Sequence, residues 1–276
     1  MPVSGLRRYA RLWQHIANPG EYLFHKKDRQ HRDFQFTTRP LPITFRVPNS
    51  LYLVFKEIFM TDVYEIDTLV RQLPPQPIII DIGANAGFFG IQLLSKIETG
   101  TIYAYEPMPA NVQMLRETMD RNPRLAQCLT LYQQAVTGKP LETVDLFAEA
   151  EESSQVVASV FFGFNDNNTH RLTVPAITLG DIIRQNNLQT IDLLKLDCEG
   201  SEYDIIYNTD SALIQRITRM AVEVHDLDTE QNNVGYFAAY LQQLGYQTTH
   251  APINSFCHAL EAVRMPHHRA TSSPAN

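Results

Sequence analysis

Residues 77–90 constrain the fold more than any other part of this chain of 276 residues. The stretch begins with the run Ile78–Ile80, ends it on Asp81, continues as a turn of small residues and becomes apolar again at Phe88. Such an apolar run is typical of a buried parallel strand, and glycines after it permit a tight turn close to a ligand. Because the helix that follows has free N–H donors at its start, the stretch predicts a strand–turn–helix unit that holds a nucleotide-like cofactor.

From this strand onward, strand and helix patterns alternate, which predicts an α/β fold whose parallel sheet carries helices on both faces. The predicted strands of that sheet are Ile78–Asp81, Thr101–Tyr105, Leu129–Val136, Ile191–Asp197 and Ile217–Val224, with a closing antiparallel pair, Gln247–His250 and Phe256–Val263. Two further strands are expected at Val144–Phe147 and Leu172–Ile177. Between them, Ala148–His170 is irregular, and a loop of that length inside a compact domain is usually functional or mobile.

The N-terminal part of the chain differs in charge from the rest. Residues 1–50 contain nine Lys/Arg and three Asp/Glu, a net charge of +6; because the whole chain carries −7, the remainder carries −13. Leu6, Tyr9, Trp13 and Ile16 recur at helical spacing, which predicts an amphipathic helix with basic residues on its other side. We expect this helix to dock on the acidic body of the same protein, although a membrane surface or an anionic substrate would also attract it.

The chain is expected to divide into three parts: residues 1–75 as a helical and strand lead-in, residues 76–265 as the main domain, and residues 266–276 as a disordered tail. Within the lead-in, Phe45–Val54 predicts two short strands about a turn. Leu53–Phe59 and Asp62–Leu73 then predict helix, with a break near Thr61.

Composition narrows the class of protein. The apolar runs stay short of the roughly 18 residues that a membrane helix needs, and the N-terminus lacks the apolar stretch of a signal peptide. An acidic chain with no recognisable nucleic-acid module is not expected to bind nucleic acid. The three cysteines, Cys128, Cys198 and Cys257, are odd in number and have no metal-type spacing. We therefore expect no disulfide framework, no bound metal and a cytoplasmic location.

The turn after the first predicted strand differs from the dinucleotide fingerprint. G-x-G-x-x-G requires a glycine two positions after Gly83, but that position holds Asn85, and the next glycine is Gly87. Glu106 ends the second predicted strand, 19 residues after Gly87, and an acid at such a place accepts hydrogen bonds from ribose hydroxyls. Together these features predict a nucleoside site with no pyrophosphate to hold; the alternative is a turn that serves packing only.

A cluster of ionisable residues follows the fourth predicted strand. Lys195 and Asp197 share one side of that strand, and Glu199 and Glu202 follow its carboxyl end, where ligands bind in open α/β sheets. These acids serve as a general base, a substrate clamp or a divalent-metal site, or else form a structural pair with the lysine. His225 ends the neighbouring strand, where it is predicted to face Asp197 and to take a proton from a hydroxyl, or to be structural.

Three motifs in this sequence resemble those of FkbM-type methyltransferases: Ile80–Gly87, Tyr105–Pro107 and Leu194–Glu202. The likeness extends over roughly residues 45–250, and the third motif is its most specific part. The resemblance implies a Rossmann-like class I methyltransferase fold, with a seven-stranded, mostly parallel sheet, helices on both faces and an N-terminal lead-in. It also implies S-adenosyl-L-methionine as the cofactor and hydroxyl groups on sugars or natural products as the methyl acceptors.

The resemblance also implies which residues contact the cofactor: Asp81, Gly83, Asn85, Gly87, Glu106, Asn111, Ala135 and Asp197. Glu106 would hold the ribose, and Asn111 and Ala135 would lie near the adenine. Asp197 would lie close to the reactive sulfonium.

The resulting hypothesis is an O-methyltransferase for a small-molecule or glycan acceptor, which aligns the acceptor oxygen with the methyl group. The catalytic candidates are His225, Asp197, Glu199 and Lys195, and the first three are, in that order, the preferred proton acceptors. The alternatives are N-methylation of a small amine, a nicotinamide-dependent oxidoreductase on a similar fold, and a catalytically silent nucleoside-binding protein. The missing middle glycine argues against the oxidoreductase, and the acceptor itself is not identified by the sequence.

Overall fold

The computed structural model describes residues 5–26, 33–148, 158–159 and 170–265. Their strands, in chain order, are Asp33–Thr37 (β1), Thr44–Pro48 (β2), Ile78–Ile82 (β3), Thr101–Tyr105 (β4), Leu129–Tyr132 (β5), Ala135–Thr137 (β6), Thr143–Ala148 (β7), Ala158–Ser159 (β8), His170–Thr178 (β9), Leu193–Leu196 (β10), Arg219–His225 (β11), Tyr246–Pro252 (β12) and Cys257–Arg264 (β13). Their α-helices are Arg7–His15 (α1), Gly20–His25 (α2), Tyr52–Lys56 (α3), Ile66–Gln72 (α4), Phe88–Leu94 (α5), Pro109–Arg121 (α6), Pro123–Cys128 (α7), Leu179–Gln185 (α8), Glu202–Tyr207 (α9), Ser211–Ile214 (α10) and Val234–Gln243 (α11).

β3 lies in the middle of a seven-stranded sheet of order β12-β13-β11-β10-β3-β4-β5. It pairs in parallel with β4 and β10, and Ile79 and Ile80 are fully buried, as their apolar run predicts. β13 is antiparallel to β11 and β12, which confirms the predicted closing pair. The predicted seven-stranded, mostly parallel sheet is therefore confirmed.

The two faces of this sheet are covered by different layers. α5, α6, α7 and the N-terminal lead-in share one core with the sheet, whereas α8 to α11 pack on the opposite face. The carboxyl ends of β3, β4, β10 and β11 meet at one edge, between the two layers. Ligands bind at such an edge in open α/β sheets, so the fold directs attention to the residues that follow these four strands.

The predicted strand Leu129–Val136 is wrong in its second half. β5 ends at Tyr132, and β6 pairs instead with β9 in a separate sheet of order β6-β9-β7-β8. The two halves read as one strand because Leu129, Ala135 and Val136 are all buried. A run of apolar residues does not show that the chain changes sheets. β7 and β9 confirm the strands expected at Val144–Phe147 and Leu172–Ile177.

The prediction of two strands in Phe45–Val54 is also wrong. β2 pairs antiparallel with β1, and the chain after Pro48 forms a 3₁₀ turn and then α3. Phe55 and Phe59 are buried four residues apart, and Phe55 stacks on Phe36 of β1 with ring centroids 4.4 Å apart. Because residues four apart lie on the same face of a helix, both rings face the core. The helical prediction that follows is confirmed, with a π-helical turn ending at Thr61 before α4.

α1 is a helix, as predicted, but the predicted apolar face is only partly buried: Ile16 is buried, as predicted, and Trp13 is exposed. Leu6 and Trp13 are 86 % and 55 % exposed, whereas Leu12, His15 and Ile16 are fully buried. The polar His15 was not expected in the core, where its ring nitrogens reach Gln92 at 3.1 Å and Asp67 at 3.2 Å. The buried side of the helix therefore includes Leu12 and His15 in place of Trp13. The helix packs on the protein's own body.

Two predicted segments fall largely or wholly outside the described residues: the irregular segment Ala148–His170 and the tail 266–276. The division at residue 75 remains a prediction, and the lead-in and the sheet contribute to a common core. Among the described helices, none combines the length and the apolar character that a membrane span requires.

Candidate active site

The turn after β3 depends on two glycines with left-handed backbone. Gly83 has φ +74°, and a Cβ there would lie 1.7 Å from the carbonyl oxygen of Asp197, so a larger residue would push β3 away from the end of β10. The amides of Gly83 and Ala84 both donate to Tyr105 O at 3.0 Å, which fastens the turn to β4. Gly87 has φ +81°, and a Cβ there would meet Leu115 of α6 at 2.4 Å. Both glycines are therefore required by close packing.

Glu106 is held by neutral donors at the end of β4. Its Oε2 accepts a hydrogen bond from the Asn85 amide at 2.7 Å, and its Oε1 accepts from the Met108 amide at 2.9 Å and from Asn111 Nδ2 at 3.3 Å. Burial raises the pKa of this carboxyl above its usual range, although the two backbone N–H donors act in the opposite direction. Each carboxylate oxygen accepts more than one hydrogen bond, so Glu106 retains capacity for a ligand hydroxyl.

A cleft opens above the turn, between the ends of β3, β4 and β10. Six of the predicted cofactor residues line it: Gly83, Asn85, Glu106, Asn111, Ala135 and Asp197. Glu199 lines it as well, and Met108, Val136 and Leu146 contribute apolar wall. The other predicted residues, Asp81, Gly87, Lys195 and His225, lie behind this lining. These four residues therefore do not line the cleft in which a cofactor would lie.

The Lys195 side chain links the turn at Gly83 to the acids of β3 and of the end of β10. Its Nζ donates to Gly83 O at 2.7 Å and lies 3.4 Å from Asp81 Oδ1 and 3.5 Å from Asp197 Oδ2. Burial opposes its charge, but Asp197 and Asp81 hold the pKa of Lys195 above its usual range. Asp81 is fully buried, and burial raises its pKa even though Lys195 lowers it. The expected lysine–carboxylate pair is present, and it supports the turn.

Three acids, Asp197, Glu199 and Glu223, form an acid cluster at the ends of β10 and β11. Burial, followed by repulsion from Asp197, raises the pKa of Glu199 to about 8 and that of Glu223 to about 7. Burial and Asp197 likewise raise the pKa of Glu57, which precedes α4 in the lead-in. Like charges in a partly buried site disfavour ionisation of one another. The acid cluster therefore favours the uptake of positive charge.

Tyr64 connects the lead-in to the acid cluster, a contact that sequence reasoning did not identify. Its hydroxyl donates to Asp197 Oδ2 at 2.8 Å and lies 3.4 Å from Glu223 Oε2. Burial and then the charge of Asp197 raise its pKa well above the usual value, so the hydroxyl stays a donor. The sequence signal was weak, because Tyr64 lies in a poorly periodic stretch that only the fold brings to β10.

His225 lies between two glutamates rather than facing Asp197 as predicted. Its Nδ1 is 3.1 Å from Glu202 Oε1, and its Nε2 is 3.4 Å from Glu199 Oε2. Burial opposes its charge, but contacts with Cys257 and Glu202 raise the pKa of His225 to about 12. The same Oε1 of Glu202 accepts from the amides of Cys198 and Gly200. The ring is therefore held in a fixed orientation.

Comparison with known proteins identifies the domain. The family model described as the methyltransferase FkbM domain matches residues 81–248. Methyltransferase sdnD of Sordaria araneosa is 28% identical over 197 residues, covering 62% of this chain and 73% of that protein. The 31-O-demethyl-FK506 methyltransferase FkbM of Streptomyces tacrolimicus is 25% identical over 221 residues, covering 67% of this chain and 82% of that protein.

A third relative is much longer than this chain. The AMB antimetabolite synthetase AmbE of Pseudomonas aeruginosa is 23% identical over 206 residues, covering 64% of this chain. The match spans 10% of the length of that synthetase. This similarity therefore concerns one domain of a large protein.

The cleft has the donors and acceptors that a methylated nucleoside cofactor needs. The buried Glu106 carboxylate has room to accept a hydrogen bond from a hydroxyl, one wall is apolar, and Asp197 offers negative charge on the other side of the Gly83 turn. S-adenosyl-L-methionine has these three parts: adenine, ribose and a cationic sulfonium. With the family model matching more than half of its length, this chain belongs to the FkbM methyltransferase family, which has the Rossmann-like class I fold and uses S-adenosyl-L-methionine as its methyl donor.

Proposed function

We propose that this protein transfers a methyl group from S-adenosyl-L-methionine to a hydroxyl group of a sugar or another natural product. The observation that carries the proposal is the placement of Glu106 and Asp197 in one cleft, on either side of the glycine turn. Glu106 faces the place proposed for the ribose, and Asp197 faces the place proposed for the reacting group. This arrangement supports nucleoside binding and chemistry in the same cleft.

The bound cofactor supplies an activated methyl group on a sulfonium. The protein's own residues then orient the acceptor oxygen in line with that methyl group, and such positioning contributes up to roughly 7–11 kcal/mol in the best cases. Asp197 is the proposed proton acceptor, because it lines the cleft and its side chain is 27 % exposed. His225, the first choice from sequence, lies behind Glu199 with a carboxylate close to each ring nitrogen.

A second groove offers a place for the acceptor. It lies beside β12 and β13, and Tyr64, Thr68, Thr249 and Ala251 are among the residues that line it. The Tyr64 hydroxyl bonds to Asp197, so this tyrosine lines the groove and contacts a residue that lines the cleft. We propose that the acceptor lies in the groove and presents its hydroxyl to Asp197.

The relative from Streptomyces tacrolimicus supports oxygen as the methylated atom, because its name states that it methylates the 31-O position of a demethylated FK506. The similarity to this relative does not identify FK506 as a substrate of this chain. For this chain the proposed acceptor class is a hydroxylated small molecule or glycan.

N-methylation of a small amine is a second candidate, and one observation favours it. The acid cluster and Glu57 place four carboxylates near the reacting edge, and such a site attracts a cationic amine. An amine must lose a proton before it accepts a methyl group, and Asp197 is placed for that step as well. The two candidates differ in the methylated atom.

Methyl transfer from radiolabelled cofactor tests the proposal directly. The acceptors should include matched pairs of alcohols and amines on the same sugar or polyketide scaffolds. Transfer to the alcohols alone supports O-methylation, whereas transfer to the amines alone would replace it with N-methylation. Thermal shifts with S-adenosylhomocysteine and NAD(H) should accompany the assay, since a ligand of the native state raises its melting temperature. Stabilisation by NAD(H) in place of S-adenosylhomocysteine would contradict the proposal.

A further inference from the structure

Glu223, His225 and Cys257 bring together three different kinds of metal-ligating atom. Among the described residues they form the group whose ligand atoms lie within 4.8 Å of one another. Glu223 Oε1 is 3.0 Å from Cys257 Sγ and 3.9 Å from His225 Nε2. Ligands bound tetrahedrally to zinc at about 2.0–2.3 Å stand about 3.3–3.8 Å apart. The distances of Glu223 Oε1 from the other two atoms therefore lie on either side of the spacing that a tetrahedral zinc ion requires.

The two strands that carry these residues hold them in place. β11 and β13 are antiparallel, and His225 lies directly opposite Cys257 in their register. Glu223 precedes His225 by two residues, so it shares the same face of β11. His225 and Cys257 are 4 % and 1 % exposed. The candidate ligands thus come from rigid, buried backbone.

Glu202 supplies a separate observation that favours a metal. Its Oε1 lies 3.1 Å from His225 Nδ1, which turns Nε2 towards Glu199, Glu223 and Cys257. A histidine that binds a metal generally donates its other ring N–H to a carboxylate, which fixes the tautomer. Glu202 is itself fully buried, and its Oε2 has no hydrogen-bond partner among the described residues.

The charge of the site accommodates a divalent cation. Glu223 belongs to the acid cluster, whose cationic neighbours are Lys195 and His225. A divalent cation bound by the Cys257 thiolate, the Glu223 carboxylate and a neutral His225 forms an electrically neutral unit. Binding releases the thiol proton of Cys257 and one proton of the imidazolium to solvent.

We propose that Glu223, His225 and Cys257 form a binding site for a divalent transition-metal ion of the zinc type, with Glu202 as the residue that positions His225. A thiolate and an imidazole select zinc-like ions over magnesium or calcium, which prefer oxygen ligands. Three protein ligands leave a fourth position. Glu199 lies 3.4 Å from His225 Nε2 and lines the cofactor cleft, so it connects the proposed metal site with the cleft.

The catalytic use of this ion rests on the proposed function, whereas the site itself does not. An acceptor hydroxyl bound at the fourth position would lose its proton more readily. The oxygen would then attack the methyl group as an alkoxide, and Asp197 would take the proton. Metal binding is measurable without any methyl acceptor, so failure of the O-methylation proposal and failure of the metal site are distinguishable.

Titration of the full-length, chelator-treated protein with Zn²⁺ and Co²⁺ tests the site. We expect one ion per chain, and a thiolate-to-Co²⁺ charge-transfer band in the near ultraviolet. Cys257→Ala should abolish that band and weaken Zn²⁺ binding about tenfold or more. Glu202→Gln should keep the band and weaken binding by about 10–100-fold, as expected when the residue orienting a ligand is changed.

Cys128→Ala is the matched control, because Cys128 is a free cysteine outside this group. It should leave stoichiometry and spectrum unchanged. S-adenosylhomocysteine binding by calorimetry checks the fold of each variant, and Cys257→Ser replaces Cys257→Ala if the alanine variant unfolds. Binding well below one ion per chain, a charge-transfer band that persists without Cys257, or equal affinity for Mg²⁺ and Zn²⁺ would each overturn the site.

Discussion

Two sets of acids, one buried and one partly exposed, lie at the same edge of the sheet and have different surroundings. Glu106, after β4, is surrounded by neutral N–H donors from Asn85, Met108 and Asn111. The acid cluster, after β10 and β11, brings carboxylates close to one another, with Lys195 and His225 as cationic neighbours. Neutral donors stabilise a carboxylate without cancelling its charge, whereas crowded carboxylates stabilise a bound cation or proton. The first arrangement suits a ribose, and the second suits the chemistry of methyl transfer.

The turn at Gly83 separates the two sets, so breaking it should have the largest effect. Gly83→Ala places a Cβ 1.7 Å from Asp197 O on a residue with φ +74°. The backbone strain alone costs about 1–3 kcal/mol, and the displaced strand end adds to it. We expect a marked loss of unfolding free energy in urea and loss of S-adenosylhomocysteine binding.

Gly245→Ala is the control for that variant. Gly245 also has positive φ, +92°, but a Cβ there meets nothing within 4 Å. Gly245→Ala should lose only the unfolding free energy that the backbone strain costs, and it should still bind S-adenosylhomocysteine. Equal losses of stability in the two variants would mean that the contact between β3 and β10 does not matter.

Asp197→Asn tests whether the acid cluster carries the chemistry. Loss of a general base lowers kcat about 10²–10⁴-fold, measured at saturating cofactor with the best acceptor. Tyr64→Phe, which removes one hydrogen bond to Asp197, should cost about tenfold or less. If Asp197→Asn retains wild-type kcat, the proton acceptor lies elsewhere in the cluster.

Glu106→Gln tests the neutral side of the comparison. It should weaken S-adenosylhomocysteine binding by about 10–100-fold, since hydrogen bonds to charged groups contribute about 1.5–3 kcal/mol. Glu142→Gln changes an exposed glutamate and should leave the dissociation constant unchanged. Calorimetry that finds the two variants alike would remove Glu106 from the cofactor site.

The pH dependence of binding should be the smallest effect. Burial raises the folded-state pKa of Glu106 above its unfolded value, so its ionisation lowers the stability of the ligand-free protein as pH rises through that interval. The affinity for S-adenosylhomocysteine should instead rise as pH rises and Glu106 ionises. It should fall as pH is lowered, because the protonated carboxyl accepts fewer hydrogen bonds. Glu106→Gln should remove the trend in affinity and reduce the trend in stability, to which Glu199 and Glu223 also contribute. Affinity that rises in acid would contradict the assignment.

The cofactor side of the site was predictable because its signals are local in sequence. Gly83, Asn85 and Glu106 end two consecutive strands, and the carboxyl ends of neighbouring parallel strands meet. The acceptor side was less predictable. Tyr64 reaches Asp197 from a lead-in whose strands and helices were partly misassigned, and helical spacing did not show that His15 would be buried in place of Trp13.

The sequence by itself determined the alternation of strands and helices, the glycine turn and the acids that follow β4 and β10. These depend on hydrophobic periodicity and on the backbone freedom of glycine, which are properties of short segments. Only the tertiary structure decided that His225 lies between Glu199 and Glu202 and opposite Cys257. Cysteine spacing predicted no metal site, and the group that we propose as one, Glu223, His225 and Cys257, forms through the register of two antiparallel strands. Register is a property of the pair of strands, and neither segment shows it alone.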